Sequence, residues 1–154
     1  MSQSLSELWI HIIFSTKKRY PFFAEPSLRQ QIYTYIQTIC QKKDCHPTFI
    51  GGTEDHVHIL TRLHKNISLS KLIEEIKKST SLWIKGLCGS YNILNYFYWQ
   101  KGYAAFSVSS SKIEAVKQYI NNQAKHHEKL NFQDELRKFL VQSGVVFNEN
   151  YLWD

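Results

Sequence analysis

The fold of this chain turns on residues 48–63, Thr48-Phe49-Ile50-Gly51-Gly52-Thr53-Glu54-Asp55-His56-Val57-His58-Ile59-Leu60-Thr61-Arg62-Leu63. Thr48-Phe49-Ile50 is a short β-branched and aromatic run, and Gly51-Gly52 ends it. Residues 56–63 alternate in character and predict a second strand, so the two segments read as a β-hairpin. Upstream, residues 25–43 carry Leu28, Ile32, Tyr35, Ile36 and Ile39 at helical spacing. Downstream, residues 68–85 place Leu69, Leu72, Ile73, Ile76 and Trp83 on one helical stripe, with Ser68 or Ser70 available as N-cap. A helix therefore flanks the hairpin on each side.

Further out, Leu8-Trp9-Ile10-His11-Ile12-Ile13-Phe14-Ser15 predicts a strand whose apolar run is broken by His11. Lys17-Lys18-Arg19-Tyr20-Pro21 follows as a basic loop. Residues 96–99 and 103–108 read as extended and aromatic. A third helix, capped by Ser109 or Ser110, is expected to run to about residue 129, and a shorter one covers 132–141. Asn150-Tyr151-Leu152-Trp153-Asp154 closes the chain. The order β-α-β-β-α-β-α predicts an α+β fold, a ferredoxin-like or RRM-like sheet with a C-terminal helical addition. Such a sheet hosts many unrelated functions.

A length of 154 residues suits one domain, expected over 1–154, and excludes a multi-domain machine. At 43% hydrophobic residues the chain can bury an ordinary core, which excludes wholesale disorder. Lys+Arg 19 against Asp+Glu 13 gives +6, a balance that points to a polyanionic partner or simply to a solvated basic surface. Cys40, Cys45 and Cys88 form an odd set without CxxC spacing, which argues against a disulfide framework and fits a reducing cytoplasm. The apolar run over residues 8–14 is far shorter than the roughly 20 residues that span a bilayer, so no membrane partner is expected.

Residues i and i+2 of a strand face one side. His56 and His58 therefore project together, close enough to share a metal ion, while Val57 and Ile59 turn to a core. With seven His in the chain, chance alone yields about 0.3 such pairs, and two surface histidines on an edge strand remain an equal reading. Tyr119 and Gln123 stand i and i+4 on a helix face. A phenol can act as a nucleophile and an amide oxygen as a ligand, but Tyr33/Gln37 and Tyr96/Gln100 share the spacing. The plainer alternative is a tyrosine packing beside Val116 and Ile120. His127 continues the same stripe as a group that supports the ligands from behind, a phosphate contact, an alternative ligand or a polar helix end near the C-terminal dipole. Asp55 can orient the histidine pair from behind or serve as a turn acid. Lys17, Lys18, Arg19 and the lysines at 71, 77, 78 and 85 can meet phosphates or only water. Trp99, Tyr103 and Phe106 can stack on bases or fill a core.

The conjunction is more specific than its parts. Ile12-Ile13-Phe14-Ser15-Thr16-Lys17, Asp55-His56-Val57-His58-Ile59-Leu60, Trp99-Gln100-Lys101-Gly102-Tyr103, Phe106-Ser107-Val108-Ser109, Tyr119-Ile120-Asn121-Asn122-Gln123, His126-His127 and Tyr151-Leu152-Trp153 occur in this order. Together they resemble the single-tyrosine HUH transposases of the insertion-sequence-200 type, in the REP-associated-tyrosine-transposase-like superfamily. The resemblance implies that His56, His58 and Gln123 hold one Mg²⁺ or Mn²⁺ through a ligand set without charge. It implies Tyr119 as the nucleophile, a 5′-phosphotyrosine intermediate, and single-stranded DNA at hairpin-flanked element ends as substrate. It further implies a homodimer and a cytoplasmic, nucleoid-associated protein. No general base for Tyr119 is identifiable in the sequence. A domesticated relative that processes repeat hairpins, and a non-catalytic nucleic-acid-binding module, remain alternatives.

Overall fold

The computed structural model describes residues 2–87 and 92–153, so Cys88 and Asp154 lie outside the described residues. Among the described residues four strands form, β1 (Trp9–Ser15), β2 (Thr48–Gly52), β3 (His56–Arg62) and β4 (Ala104–Val108). They make one antiparallel sheet in the order β2-β3-β1-β4. Helix α1 (Pro26–Lys42) links β1 to β2, and α2 (Leu69–Gly86) links β3 to β4. After β4 come α3 (Ile113–Asn121), α4 (Gln123–His126), α5 (Phe132–Gln142) and α6 (Glu149–Leu152). This is the α+β, ferredoxin-like arrangement that the sequence predicts.

The period of two divides the sheet residues between two faces. Ile12 opposes Ile59 and Phe14 opposes Val57. These four are buried in one core with Leu28, Ile32 and Ile36 of α1 and Leu72, Ile73 and Ile76 of α2. Each such side chain contributes about 1.5–3 kcal/mol on leaving water. The α2 N-terminus is closed by Ser68, whose hydroxyl accepts from the Lys71 backbone N–H. On the other face Ile13 and Ala104 pack with Phe132, Leu136 and Leu140 of α5. His11, His56 and His58 share that second face, so the helices added after β4 cover the histidines.

Two local expectations are corrected. Residues 96–99 do not form a strand: a 3-10 turn spans Asn92–Tyr96, and Trp99 makes a lone bridge to Thr16. Leu94 and Phe97, three residues apart and fully buried, anchor that turn. The third helix does not run unbroken to residue 129. It breaks at Asn122, whose backbone (φ −100°, ψ 19°) leaves the α-helical region between α3 and α4. Asn121-Asn122 is a weak helix segment because asparagine side chains compete for backbone groups.

Gly51 is where α3 meets the sheet. A Cβ there would stand 2.3 Å from the Ile120 carbonyl oxygen and 2.8 Å from Ile120 Cγ2. The missing side chain lets the turn that carries Tyr119 lie directly on β2.

Candidate active site

His56 and His58 are both wholly buried, and their ring centroids lie 5.2 Å apart. Each ring is held from behind at Nδ1. His56 Nδ1 is 2.7 Å from Asp55 Oδ1 and 3.0 Å from Thr53 Oγ1. His58 Nδ1 is 2.8 Å from Nε2 of His11, which β1 brings in from the neighbouring strand. Both Nε2 atoms consequently point inward. His56 Nε2 lies 3.1 Å from Gln123 Oε1, and His58 Nε2 lies 2.9 Å from Glu135 Oε1. His127 Nε2 approaches Gln123 Oε1 at 3.0 Å and Glu135 Oε2 at 3.2 Å. The Tyr119 hydroxyl donates a hydrogen bond to Glu135 Oε2, and Gln123 Nε2 donates to the same oxygen at 3.3 Å.

The structure thus brings Tyr119, His56, His58, Gln123, His127 and Asp55 into one cluster, with Glu135 at its centre. Glu135 was absent from the sequence reading. Its signal was an acid on the apolar stripe of α5, three residues after Phe132 and four before Phe139. It is 1% exposed, and such a carboxylate requires partners. The expected ligand set carries no charge, whereas the cluster also contains a carboxylate.

Electrostatics follow from burial and these bonds. Burial pushes the Glu135 carboxyl up, but hydrogen bonds from His127, His58 and Tyr119 outweigh it and hold the group well below the usual carboxylate range. Burial pulls His58 down to about 4 despite Glu135, and pulls His11 down to about 3. Burial also lowers His127, but its bond to Glu135 outweighs that, and the net direction is up. Burial and then Glu135 push the Tyr119 hydroxyl above its ordinary value. Asp55 sits below the usual carboxylate value because its bond to His56 overcomes burial. At neutral pH the resting cluster therefore holds an anionic Glu135, a neutral His58 and a protonated Tyr119.

The donor set fits a divalent cation. One nitrogen from each of His56, His58 and His127 and one Glu135 oxygen all lie within 4.8 Å of one another. Three imidazoles, a carboxylate and the nearby amide oxygen suit first-row divalent ions, with the imidazoles favouring Mn²⁺ over Mg²⁺. Phe132 stacks on His56 at 4.5 Å, and the Tyr119 ring lies between His126 at 4.5 Å and Phe139 at 5.5 Å. A cleft of about 810 Å³ opens beside Tyr119, bordered by Lys125, Lys129 and Lys138.

The other expected residues lie elsewhere. Lys17, Lys18 and Arg19 form the turn after β1, outside the cluster. Lys77 is not free for phosphate, because its Nζ donates to the carbonyls of Gln100 at 2.9 Å and Gly102 at 2.7 Å. Lys71 pairs with Glu74 and Glu75. Trp99 is no stacking platform: it is buried and donates from Nε1 to Thr80 Oγ1 at 2.8 Å. Phe106 stacks on Phe139, and Tyr103 is exposed. Cys40 and Cys45 are buried and free, and burial pushes the Cys40 thiol up to about 12. No helix among the described residues is long and apolar enough to cross a membrane.

The chain is 24% identical over 116 residues to the transposases for insertion sequence element IS200 of Salmonella typhimurium and Salmonella typhi, covering 73% of this chain and 74% of each relative. Its fold matches the crystal structure of a candidate transposase from Deinococcus radiodurans R1 with a TM-score of 0.60 at 18% identity, over 80% of this chain and 98% of that one. It also matches a REP-associated tyrosine transposase bound to a REP hairpin, with a TM-score of 0.52 at 18% identity, over 84% of this chain and 76% of that one. The family described as "Transposase IS200 like" matches residues 4–123, a segment that holds both histidines of β3 and runs to Gln123. With well over half of its length matched, the chain belongs to the IS200-like transposase family.

Proposed function

We propose that this transposase cleaves and rejoins single-stranded DNA at hairpin-flanked ends, with Tyr119 as nucleophile and His56, His58, Gln123, Glu135 and His127 as holders of one Mg²⁺ or Mn²⁺. The observation that carries this is convergence: the Tyr119 hydroxyl and the His58 Nε2 meet on the two oxygens of one carboxylate, Glu135. A bound divalent cation supplies Lewis-acid charge neutralisation at the scissile phosphate. The chain's own residues do the rest. Asp55 and His11 fix the imidazole rings from behind, so each Nε2 faces the site without rearrangement. Gln123 turns its amide oxygen to His56 and its amide nitrogen to Glu135.

Glu135 Oε2 accepts the Tyr119 hydrogen bond and so holds the phenol in place, and the phenolic proton passes to solvent as the oxygen is committed to attack. The phenolate oxygen attacks phosphorus, the Tyr–O–P bond forms, and the P–O3′ bond breaks. The leaving oxygen takes up a proton to become a free 3′-OH. The 5′-phosphotyrosine keeps the energy of the phosphodiester, so a second 3′-OH can reverse the step without a nucleotide cofactor. Action as a homodimer belongs to the proposal on the family resemblance, as does a cytoplasmic, nucleoid-associated setting.

The test is incubation with Mn²⁺ and a single-stranded hairpin oligonucleotide from the flanks of the gene, labelled at its 3′ end. An SDS-stable adduct supports the proposal, and Tyr119→Phe should abolish it while leaving DNA retardation intact. Retardation without any adduct would instead favour a non-catalytic hairpin-binding protein.

A further inference from the structure

Away from the cluster, the turn after β1 and the segment before β4 build an aromatic and basic surface. Lys18 and Arg19 both adopt left-handed backbone conformations (φ 55° and 58°), which turn this short segment sharply over the sheet end. The Lys17 backbone N–H donates to the Tyr98 carbonyl at 2.8 Å and ties the two segments together. Two hollows, about 340 and 360 Å³, lie side by side and share Lys17, Lys18 and Tyr98. Tyr20, Tyr96 and Tyr98 are 48%, 73% and 55% exposed. Lys85 Nζ stands 4.5 Å and Lys17 Nζ 5.7 Å from the centre of the Tyr98 ring. Among the described residues, no carboxylate lines either hollow.

A chain of contacts joins this surface to the active site. Thr16 donates its backbone N–H to Asp55 at 2.8 Å, and Asp55 holds His56. Trp153 lines one hollow, packs edge-on to Phe132 at 6.4 Å, and Phe132 stacks on His56.

Exposed tyrosine faces interleaved with lysines suit a ligand that carries a flat ring on every unit and a negative charge between units. Base–aromatic stacking with basic phosphate contacts is that combination, and it requires unpaired bases because duplex pairing hides the ring faces. We propose that this groove, with Tyr98 as its dividing wall and Tyr20 and Tyr96 at its side, stacks unpaired bases of the DNA strand that runs to the Tyr119 site. The proposal rests on single-stranded DNA as the substrate. It adds a specific surface that neither hollow's position in the fold nor the family match assigns.

The experiment titrates the full-length protein with fluorescein-labelled dT12 and, separately, with a 12-base-pair duplex. The wild-type protein should bind dT12 in preference to the duplex. Tyr98→Ala should weaken dT12 binding about tenfold, within the range for loss of one stacking platform. Tyr98→Phe, which keeps the ring, should stay within about twofold of wild type. Lys17→Gln with Lys18→Gln should flatten the salt dependence, whereas Tyr98→Ala should leave its slope unchanged. Because all these side chains lie at the surface, far-UV circular dichroism should show every variant folded. Three results would overturn the proposal: no dT12 binding by the wild type, Tyr98→Ala within twofold of wild type, or failure of Tyr98→Phe to restore binding. The wild-type adduct assay with the hairpin reports on Tyr119 chemistry independently. Loss of that adduct with the dT12 pattern intact would overturn the catalytic proposal and leave the groove standing.

Discussion

His11 Nε2 and His58 Nδ1 lie 2.8 Å apart across the β1–β3 pair, so a histidine on the central strand sets the ring of the histidine beside it. The apolar run of β1 is interrupted at that one residue, which is 2% exposed and packs edge-on to Phe139 at 5.3 Å. With a cation on Nε2, His58 carries its proton on Nδ1 and donates it to His11. His11→Phe keeps the packing against Phe139 and removes this acceptor. Mn²⁺ affinity, followed by the electron paramagnetic resonance of the free ion, should fall about 10–100-fold, the usual cost of losing the partner behind a ligating histidine. An unchanged affinity would contradict the role given to His11.

Glu135 supplies the negative charge in the His56–His58–His127 cluster and lies beyond the residues that the family matches. Glu135→Gln keeps size and an oxygen for Tyr119 but removes the charge. Mn²⁺ binding, measured by calorimetry, should weaken by at least about tenfold, since ligand charge sets the affinity for a hard cation. The metal-free variant should also lose about 1.5–3 kcal/mol, the worth of a hydrogen bond to a charged group. Wild-type Mn²⁺ affinity in Glu135→Gln would remove Glu135 from the ligand set.

His58, at about 4, and His11, at about 3, resist protonation in the folded chain, whereas the unfolded chain protonates near 6.5. Below 6.5 the unfolded state therefore binds more protons, and stability falls as pH drops from 6.5 toward 4. His127 acts in the opposite sense. Its raised value gives stability that is complete below 6.5 and is lost as pH rises through its folded value, so it does not offset the acid loss. Thermal melts of the metal-free protein should show a falling Tm from pH 6.5 to 5. A flat Tm across that interval would contradict the buried neutral state of the two histidines.

The hairpin, both flanking helices and the order of strands were legible because hydrophobic period is local information. Ile12 and Phe14, and Val57 and Ile59, announce one buried face by alternation alone. Tyr119, His56, His58 and Gln123 were legible as candidates because strand and helix spacing put them on common faces. The break at Asn122 and the 3-10 turn at Asn92–Tyr96 were not, since tertiary anchoring by buried Leu94 and Phe97 overrides local extended propensity. Glu135 was hidden for a related reason: its partners lie 77 residues away at His58 and 16 away at Tyr119, and no local pattern carries those distances.

Gly51 tests how α3 is seated. In Gly51→Ala the new Cβ would meet the Ile120 carbonyl at 2.3 Å, and backbone cannot yield as a flexible side chain does. The variant should lose about 1–3 kcal/mol in urea denaturation, the range for overpacking. Its adduct yield should fall, because the displaced turn carries Tyr119. A wild-type urea midpoint would mean that α3 sits farther from β2 than described.

In the proposed reaction Tyr119 makes the covalent bond to DNA. Its most direct test is mass spectrometry of the protein after reaction with the 3′-labelled hairpin and Mn²⁺, nuclease trimming and trypsin digestion. A nucleotide 5′-phosphate is expected on the peptide that contains Tyr119, and none in Tyr119→Phe. A nucleotide on any other residue, or an equal yield from Tyr119→Phe, would contradict it.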